Sequence, residues 1–220
     1  MIFDMDGVLI DSFEPHRKAF DIVMRKQFGF KVTKEEFLKL FGSDPRGITR
    51  KLVEDHGIKE MQDIEKLHAE KQETFRRLIK GEVRVFPGVR KLLTMLKKSG
   101  LKTGLASSNS RKNIMMIMEK VGLKGYFNVF TGLEDTKKAK PSPEIYLKTA
   151  EKLQVKPEDC WVIEDSLHGI EAGKKAGMKV IGVQTGLRSE RELIEAGADK
   201  VVENLWKLSI RDIELTSRFV

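Results

Sequence analysis

Met1-Ile2-Phe3-Asp4-Met5-Asp6-Gly7-Val8 opens the 220-residue chain and decides how the rest is read. It is a short apolar strand running into two acids one residue apart, then a glycine. Side chains alternate along a strand, so Asp4 and Asp6 would share a face if it continued. Gly7 marks its end, because a residue without Cβ lets the backbone turn. Two carboxylates crowded at a strand end repel each other unless a metal ion or a proton relieves them. Only three residues precede Asp4, so the strand is expected to be short, or clipped from a longer one.

Downstream the pattern becomes helical. Asp11-Ser12 reads as a linker or helix cap, and Ala19, Phe20, Val23 and Met24 fall on one face of a helix from about 15 to 28. Thr33-Lys34-Glu35-Glu36 is a capping box ahead of Phe37, Leu38 and Leu40. A turn at residues 42–45 precedes a third helix marked by Ile48, Leu52 and Val53, and a fourth runs from about 61 to 79. Residues 14–82 are therefore expected to form an all-helical insertion, with 1–13 and 83–220 forming the domain it interrupts.

From Val83 onward strands and helices alternate. Helices are expected over 89–98, 110–121, 143–153, 167–176 and 190–196, and strands over 101–106, 126–130, 160–163, 180–183 and 200–202. Cys160-Trp161-Val162-Ile163 is continuously apolar, as buried parallel strands are. Alternation of this kind implies right-handed crossovers and a parallel sheet with helices on both faces. The fold class is α/β: a Rossmann-like parallel-sheet core with an inserted all-helical cap domain.

Composition narrows the partners. The formal net charge is +8, but the basic residues are spread along the chain without an aromatic-interleaved basic run, so nucleic acid is not expected. Small anions are. A single cysteine, Cys160, forbids an intrachain disulfide and fits a reducing cytoplasm. No apolar run is long enough to span a membrane, and no signal peptide is evident. A monomer is expected.

Three more stretches lie at strand ends. Ser107-Ser108-Asn109-Ser110 opens a helix, where hydroxyls and unpaired N–H groups make an anion site. Lys137-Lys138-Ala139-Lys140-Pro141-Ser142-Pro143 is a polar loop, and Glu164-Asp165-Ser166 follows the buried strand directly. In open parallel sheets ligands bind at the carboxyl ends of strands, where strand order reverses. If the first strand and the Cys160 strand are neighbours there, Asp4, Asp6, Glu164 and Asp165 converge. Four carboxylates in one crevice call for a hard cation, and oxygen-only ligation points to Mg²⁺. With Ser107 and Lys140 beside it, such a site suits a phosphoryl group.

With these four motifs in order, the chain resembles the haloacid dehalogenase superfamily, in its phosphatase branch with a helical cap. Asp4-Met5-Asp6-Gly7-Val8, Ser107, Lys140-Pro141 and Glu164-Asp165 are similar to the family's four motifs, and Phe86-Pro87-Gly88 and the 165–173 stretch add to the match. Within it, the chain looks most like the group holding sugar-phosphate phosphatases, a pyrophosphatase type and beta-phosphoglucomutase. The resemblance implies that Asp4 is the nucleophile, forming an aspartyl-phosphate, and that Asp6 is the general acid and base. It implies Mg²⁺ held by the Asp4 carboxylate, the Asp6 main-chain carbonyl and Asp165, with Glu164 direct or through water. Ser107, Ser108, Asn109 and Lys140 would bind the phosphoryl oxygens. The cap would close over the site, with His16, Arg46 and Lys71 as candidate substrate contacts. The expected activity is hydrolysis of a small phosphorylated metabolite. The alternatives are a beta-phosphoglucomutase, which His16 and Val8 favour and the longer loop at 107–113 disfavours, and an inorganic pyrophosphatase.

Overall fold

In the computed structural model of the protein, which describes residues 1–42, 44–58, 63–81 and 83–209, the chain forms two compact units. Met1–Asp11 and Arg84–Val220 make the first, and Ser12–Val83 the second.

The first unit carries a six-stranded sheet. Its strands are β1 (Ile2–Phe3), β4 (Gly104–Ala106), β5 (Val129–Thr131), β6 (Trp161–Glu164), β7 (Lys179–Val183) and β8 (Lys200–Val202). They run in the order β5-β4-β1-β6-β7-β8, all parallel. β1 is short but central. Ile2 and Phe3 pair with Gly104 and Leu105 on one side and with Val162 and Ile163 on the other, and the Asp4 N–H continues the ladder to the Ile163 carbonyl at 3.0 Å. From β1 the chain builds outward through β4 and β5, then returns to β6 on the opposite side. The order therefore reverses beside β1, between the strands that end in Asp4 and in Glu164.

Alternation sorts the strand side chains onto two faces. Ile2, Val162 and Val180 join a buried cluster with Ile145, Tyr146 and Ala150 of α7 (Glu144–Leu153) and Ile170 and Ala172 of α8 (Leu167–Lys175). Phe3 points the other way and meets Phe127 edge to face, ring centroids 5.9 Å apart. Each fully buried branched side chain contributes about 1.5–3 kcal/mol. Among the described residues the remaining α-helices of this unit are α5 (Val89–Lys98), α6 (Arg111–Lys120) and α9 (Glu190–Glu195).

The expected strand at 126–130 starts later. Residues Lys124–Tyr126 close a 3₁₀ turn, and pairing resumes only where the Asn128 N–H reaches the Thr103 carbonyl at 2.8 Å. Likewise the strand expected from Leu101 begins at Gly104, because the Leu101 N–H closes the end of α5 on Leu96. Asp11 is not a linker: β2 (Ile10–Asp11) pairs antiparallel with β3 (Arg84–Val85), joining the two chain passages of this unit. Two residues per strand leave no alternation to read.

The second unit is helical among its described residues: α1 (Phe13–Phe28), α2 (Lys34–Leu40), α3 (Pro45–Asp55) and α4 (Ile64–Ile79). Phe13, Phe20, Val23, Phe37, Leu52 and Leu67 share its core. The Thr33–Glu36 capping box forms, and the Asp44 and Asp63 carboxylates cap α3 and α4. The expected turn at 42–45 and helix start near 61 include residues 43 and 61, which lie outside the described residues, as does the expected cap boundary at 82. Among the described residues no helix is long and apolar enough to cross a membrane.

Candidate active site

The site lies at the carboxyl ends of β1, β4 and β6 within the first unit. β1 delivers Asp4, and the chain then turns so that the Gly7 N–H meets the Ile10 carbonyl at 2.9 Å. β6 delivers Glu164 and Asp165 beside it. Lys140 comes from the loop before α7 and donates to Asp4 Oδ1 at 2.6 Å and to Glu164 Oε1 at 2.5 Å. All four side chains are buried.

Glu164 is fully engaged by the protein. Oε1 also accepts from the Tyr146 hydroxyl at 2.6 Å, while Oε2 accepts from the Asp165 and Ser166 N–H groups and the Ser166 hydroxyl, each at 3.0 Å. Burial opposes its ionisation, yet the Lys140 charge and these hydrogen bonds outweigh it and hold Glu164 below the usual carboxylate range. Asp4 and Asp165 lie on the other side of that balance. Burial first, with neighbouring carboxylates adding, pushes Asp4 up to about 8 despite Lys140, and raises Asp165 well above its ordinary value. Lys140 is lifted well above the ordinary lysine value, since Asp4 and Glu164 outweigh the burial that would lower it.

One ammonium thus faces several buried acids, a deficit of positive charge. Asp4, Glu164 and Asp165 each offer an oxygen within 4.8 Å of the others. Among the described residues the Asp165 carboxylate receives no hydrogen bond, in contrast to Glu164. The donor set is all oxygen and fits a hard divalent cation. Close backbone contact keeps Asp165 in place: a Cβ at Gly7 (φ +82°) or at Gly186 would collide with its carboxylate. The Thr185 hydroxyl donates to the Gly7 carbonyl at 2.6 Å, tying the loop after β7 to the loop after β1.

Asp6 is not one of those three, but it is near enough for its charge to help raise Asp4 and Asp165. Its Oδ2 accepts from Asn109 Nδ2 at 2.7 Å and from the Ser107 hydroxyl at 3.4 Å. The Ser107 oxygen in turn accepts from the Asn109 N–H at 3.1 Å. Ser108 is half-buried and makes no side-chain hydrogen bond among the described residues.

The second unit brings two of its three candidates together. Lys71 Nζ lies 2.8 Å from His16 Nδ1, and an ammonium there can only donate. The His16 ring stacks on Phe75 at 3.8 Å, and the Lys71 ammonium sits over the Phe20 ring at 4.7 Å. Arg46 instead forms a two-pronged pair with Glu65, at 2.6 and 2.9 Å.

Sequence reasoning missed Tyr146, Thr185 and Gly186. Tyr146 hides among the apolar positions of α7, where its ring reads as core. Thr185-Gly186 follows a strand end as the other motifs do, and that placement was the available signal.

Comparison with known proteins agrees with this geometry. The family model described as haloacid dehalogenase-like hydrolase matches residues 1–183. A phosphorylated carbohydrates phosphatase of Thermotoga maritima is 35% identical over 210 residues, 92% of this chain and 93% of that protein. The crystal structure of beta-phosphoglucomutase from Clostridium difficile superimposes with a TM-score of 0.86 at 27% identity, covering 97% of this chain and 94% of the other. That of CbbY from Rhodobacter sphaeroides in complex with phosphate does so with a TM-score of 0.83, also at 27% identity, covering 94% and 95%.

Proposed function

The chain belongs to the haloacid dehalogenase-like hydrolases and is a phosphatase-type enzyme acting on phosphorylated compounds, and on that premise we propose that it is a Mg²⁺-dependent phosphomonoesterase that hydrolyses a small phosphorylated metabolite through Asp4. The observation that carries the proposal is the meeting of Asp4, Lys140 and Asp165 at the point where strand order reverses.

In this reading an Asp4 oxygen attacks phosphorus, the bond from phosphorus to the leaving oxygen breaks, and Asp6 gives that oxygen its proton. Asp6 then takes a proton from the water that attacks the aspartyl-phosphate, restoring Asp4 and releasing phosphate. Lys140 holds Asp4 by one oxygen, which limits how its carboxylate can rotate. Glu164 and Tyr146 hold Lys140. The Asp4 and Asp165 carboxylates and the Asp6 main-chain carbonyl would hold Mg²⁺, which would supply positive charge for the phosphoryl oxygens and keep Asp4 ionised at neutral pH. Glu164 serves here as the clamp on Lys140. The second unit serves as a cap that shields the reaction from bulk water, with His16, Lys71 and Arg46 contacting the substrate.

A sugar phosphate is the favoured substrate, because the Thermotoga maritima relative is named for phosphorylated carbohydrates. A beta-phosphoglucomutase is the second reading, supported by the structural likeness to one. Against it, Arg111, the first residue of α6, pairs with Asp135 at 2.8 Å. The deciding experiment is a screen of sugar phosphates, phosphoglycolate, glycerol phosphate and pyrophosphate for phosphate release, with and without Mg²⁺. Conversion of beta-glucose 1-phosphate is followed in parallel. Metal-dependent release from a sugar phosphate is expected. Fast formation of glucose 6-phosphate with negligible free phosphate would overturn hydrolase in favour of mutase.

A further inference from the structure

The loops after β1 and β7 meet across the end of β6. In the sheet β6 lies between those two strands, which sets them about 10 Å apart, so their loops touch only by crossing the strand between. β7 keeps its ladder through the Gln184 N–H, which donates to the Val202 carbonyl at 3.0 Å. Thr185 and Gly186 come next. The Thr185 hydroxyl reaches across to the Gly7 carbonyl at 2.6 Å.

Asp165, the first residue after β6, touches both sides of this bridge. A Cβ on Gly7 would stand 1.9 Å from Asp165 Oδ2, and one on Gly186 would stand 2.2 Å from the same oxygen. Two backbone segments therefore press on one carboxylate, and the Thr185 hydroxyl ties one segment to the other. Among the described residues that carboxylate receives no hydrogen bond. Carboxylates that ligate a metal are ordinarily fixed by hydrogen bonds from a surrounding shell. Each such donor also occupies a lone pair. Contact with glycine backbone stops the carboxylate turning and leaves its oxygens to a hard cation.

We propose that Thr185 is a positioning residue for the cation: its bond to Gly7 holds Gly7 and Gly186 against the Asp165 carboxylate, and so sets where Asp165 offers its oxygen to Mg²⁺. This rests on the Mg²⁺ of the reading above. Thr185 acts through the two glycines and supplies no ligand of its own.

The test measures the Mg²⁺ dissociation constant by calorimetry on the full-length protein without substrate. Thr185→Val keeps the branched shape and removes the hydroxyl. It should weaken Mg²⁺ binding about tenfold, the lower end of what losing a partner of a metal ligand costs. Thr185→Ser keeps the donor and should bind Mg²⁺ as the wild type does. Gly186→Ala drives a Cβ into Asp165 and leaves the hydroxyl in place. It should bind Mg²⁺ at least as weakly as Thr185→Val, and it stands in should that variant not fold. The Mg²⁺ concentration for half-maximal phosphate release should rise by the same factor as the dissociation constant. Urea unfolding in the presence of a chelator separates folding from metal binding. A lowered urea midpoint with unchanged Mg²⁺ constants in Thr185→Val and Gly186→Ala would make the bridge structural alone and overturn the assignment. Thr185→Ser as weak as Thr185→Val would overturn it as well, and both results leave a Mg²⁺-dependent phosphatase standing. A wild type that binds no Mg²⁺ and releases phosphate without it overturns the metal reading and the role of Thr185 with it.

Discussion

Charged side chains at the ends of apolar strands have no packing reason to be there, which singles out Asp4, Asp6, Glu164 and Asp165; Lys140 lies in a polar loop and stands out only by its partners, Asp4 and Glu164. How the acids divide the work is set by their surroundings. Glu164 and Asp165 are adjacent and chemically alike, yet one is enclosed by five donors and held ionised, while the other is enclosed by backbone and pushed up. That difference depends on Tyr146, Ser166 and Gly186, which are brought in by topology rather than by any local pattern. Tyr146 supplies a clean test at this scale. Its hydroxyl is buried and donates to a buried carboxylate, and hydrogen bonds to charged groups contribute about 1.5–3 kcal/mol. Tyr146→Phe keeps the ring and should lower unfolding stability by about that amount in urea titrations. A change below about 0.5 kcal/mol, the usual range for a neutral surface substitution, would contradict the clamp.

At the scale of elements, the Thr33 capping box and the helix over 89–98 form where the sequence places them, the second without a side-chain cap. Strand boundaries drifted where a helix end or a 3₁₀ turn took the first residues of an apolar run, as at Leu101 and Tyr126. The β2–β3 ladder escaped notice because its partners are more than seventy residues apart in sequence and too short to show a period. Helix α4 carries a property that no periodicity would show. His68 is buried, its Nδ1 without a partner among the described residues. Burial first, then the Lys71 and Arg46 cations, lower it from 6.5 to about 4, with Glu65 and Asp44 opposing weakly. Between those values the unfolded chain binds a proton that the folded chain refuses, so stability is retained above pH 6.5 and lost as the pH falls toward 4. Urea midpoints measured across that window should fall less in His68→Gln than in the wild type. Parallel curves would show that His68 takes no part in the acid sensitivity.

On the scale of the whole molecule, the sequence showed a helical segment interrupting an α/β core, and the structure gathers Ser12–Val83 into a unit of its own. The cap role given to that unit makes a kinetic claim. Alanine at His16, Lys71 or Arg46 should raise KM or lower kcat for the preferred substrate while the core keeps its fold, with the larger effects at His16 and Lys71, which are joined to each other. Arg46 already has Glu65 as a partner and should matter least. Unchanged kinetics in all three would remove the unit from substrate recognition. The central claim, nucleophilic attack by Asp4 in a metal-supported site, is tested most directly by phosphate release from the preferred ester. Wild type and Asp4→Asn are compared in Mg²⁺, and again after chelation. An amide keeps the shape of the carboxylate but cannot form the aspartyl-phosphate. Turnover should therefore fall below about one per cent of wild type in the variant, in line with the loss of a nucleophile. Chelation should silence the wild type. Retention of more than a few per cent of wild-type turnover by Asp4→Asn would contradict it.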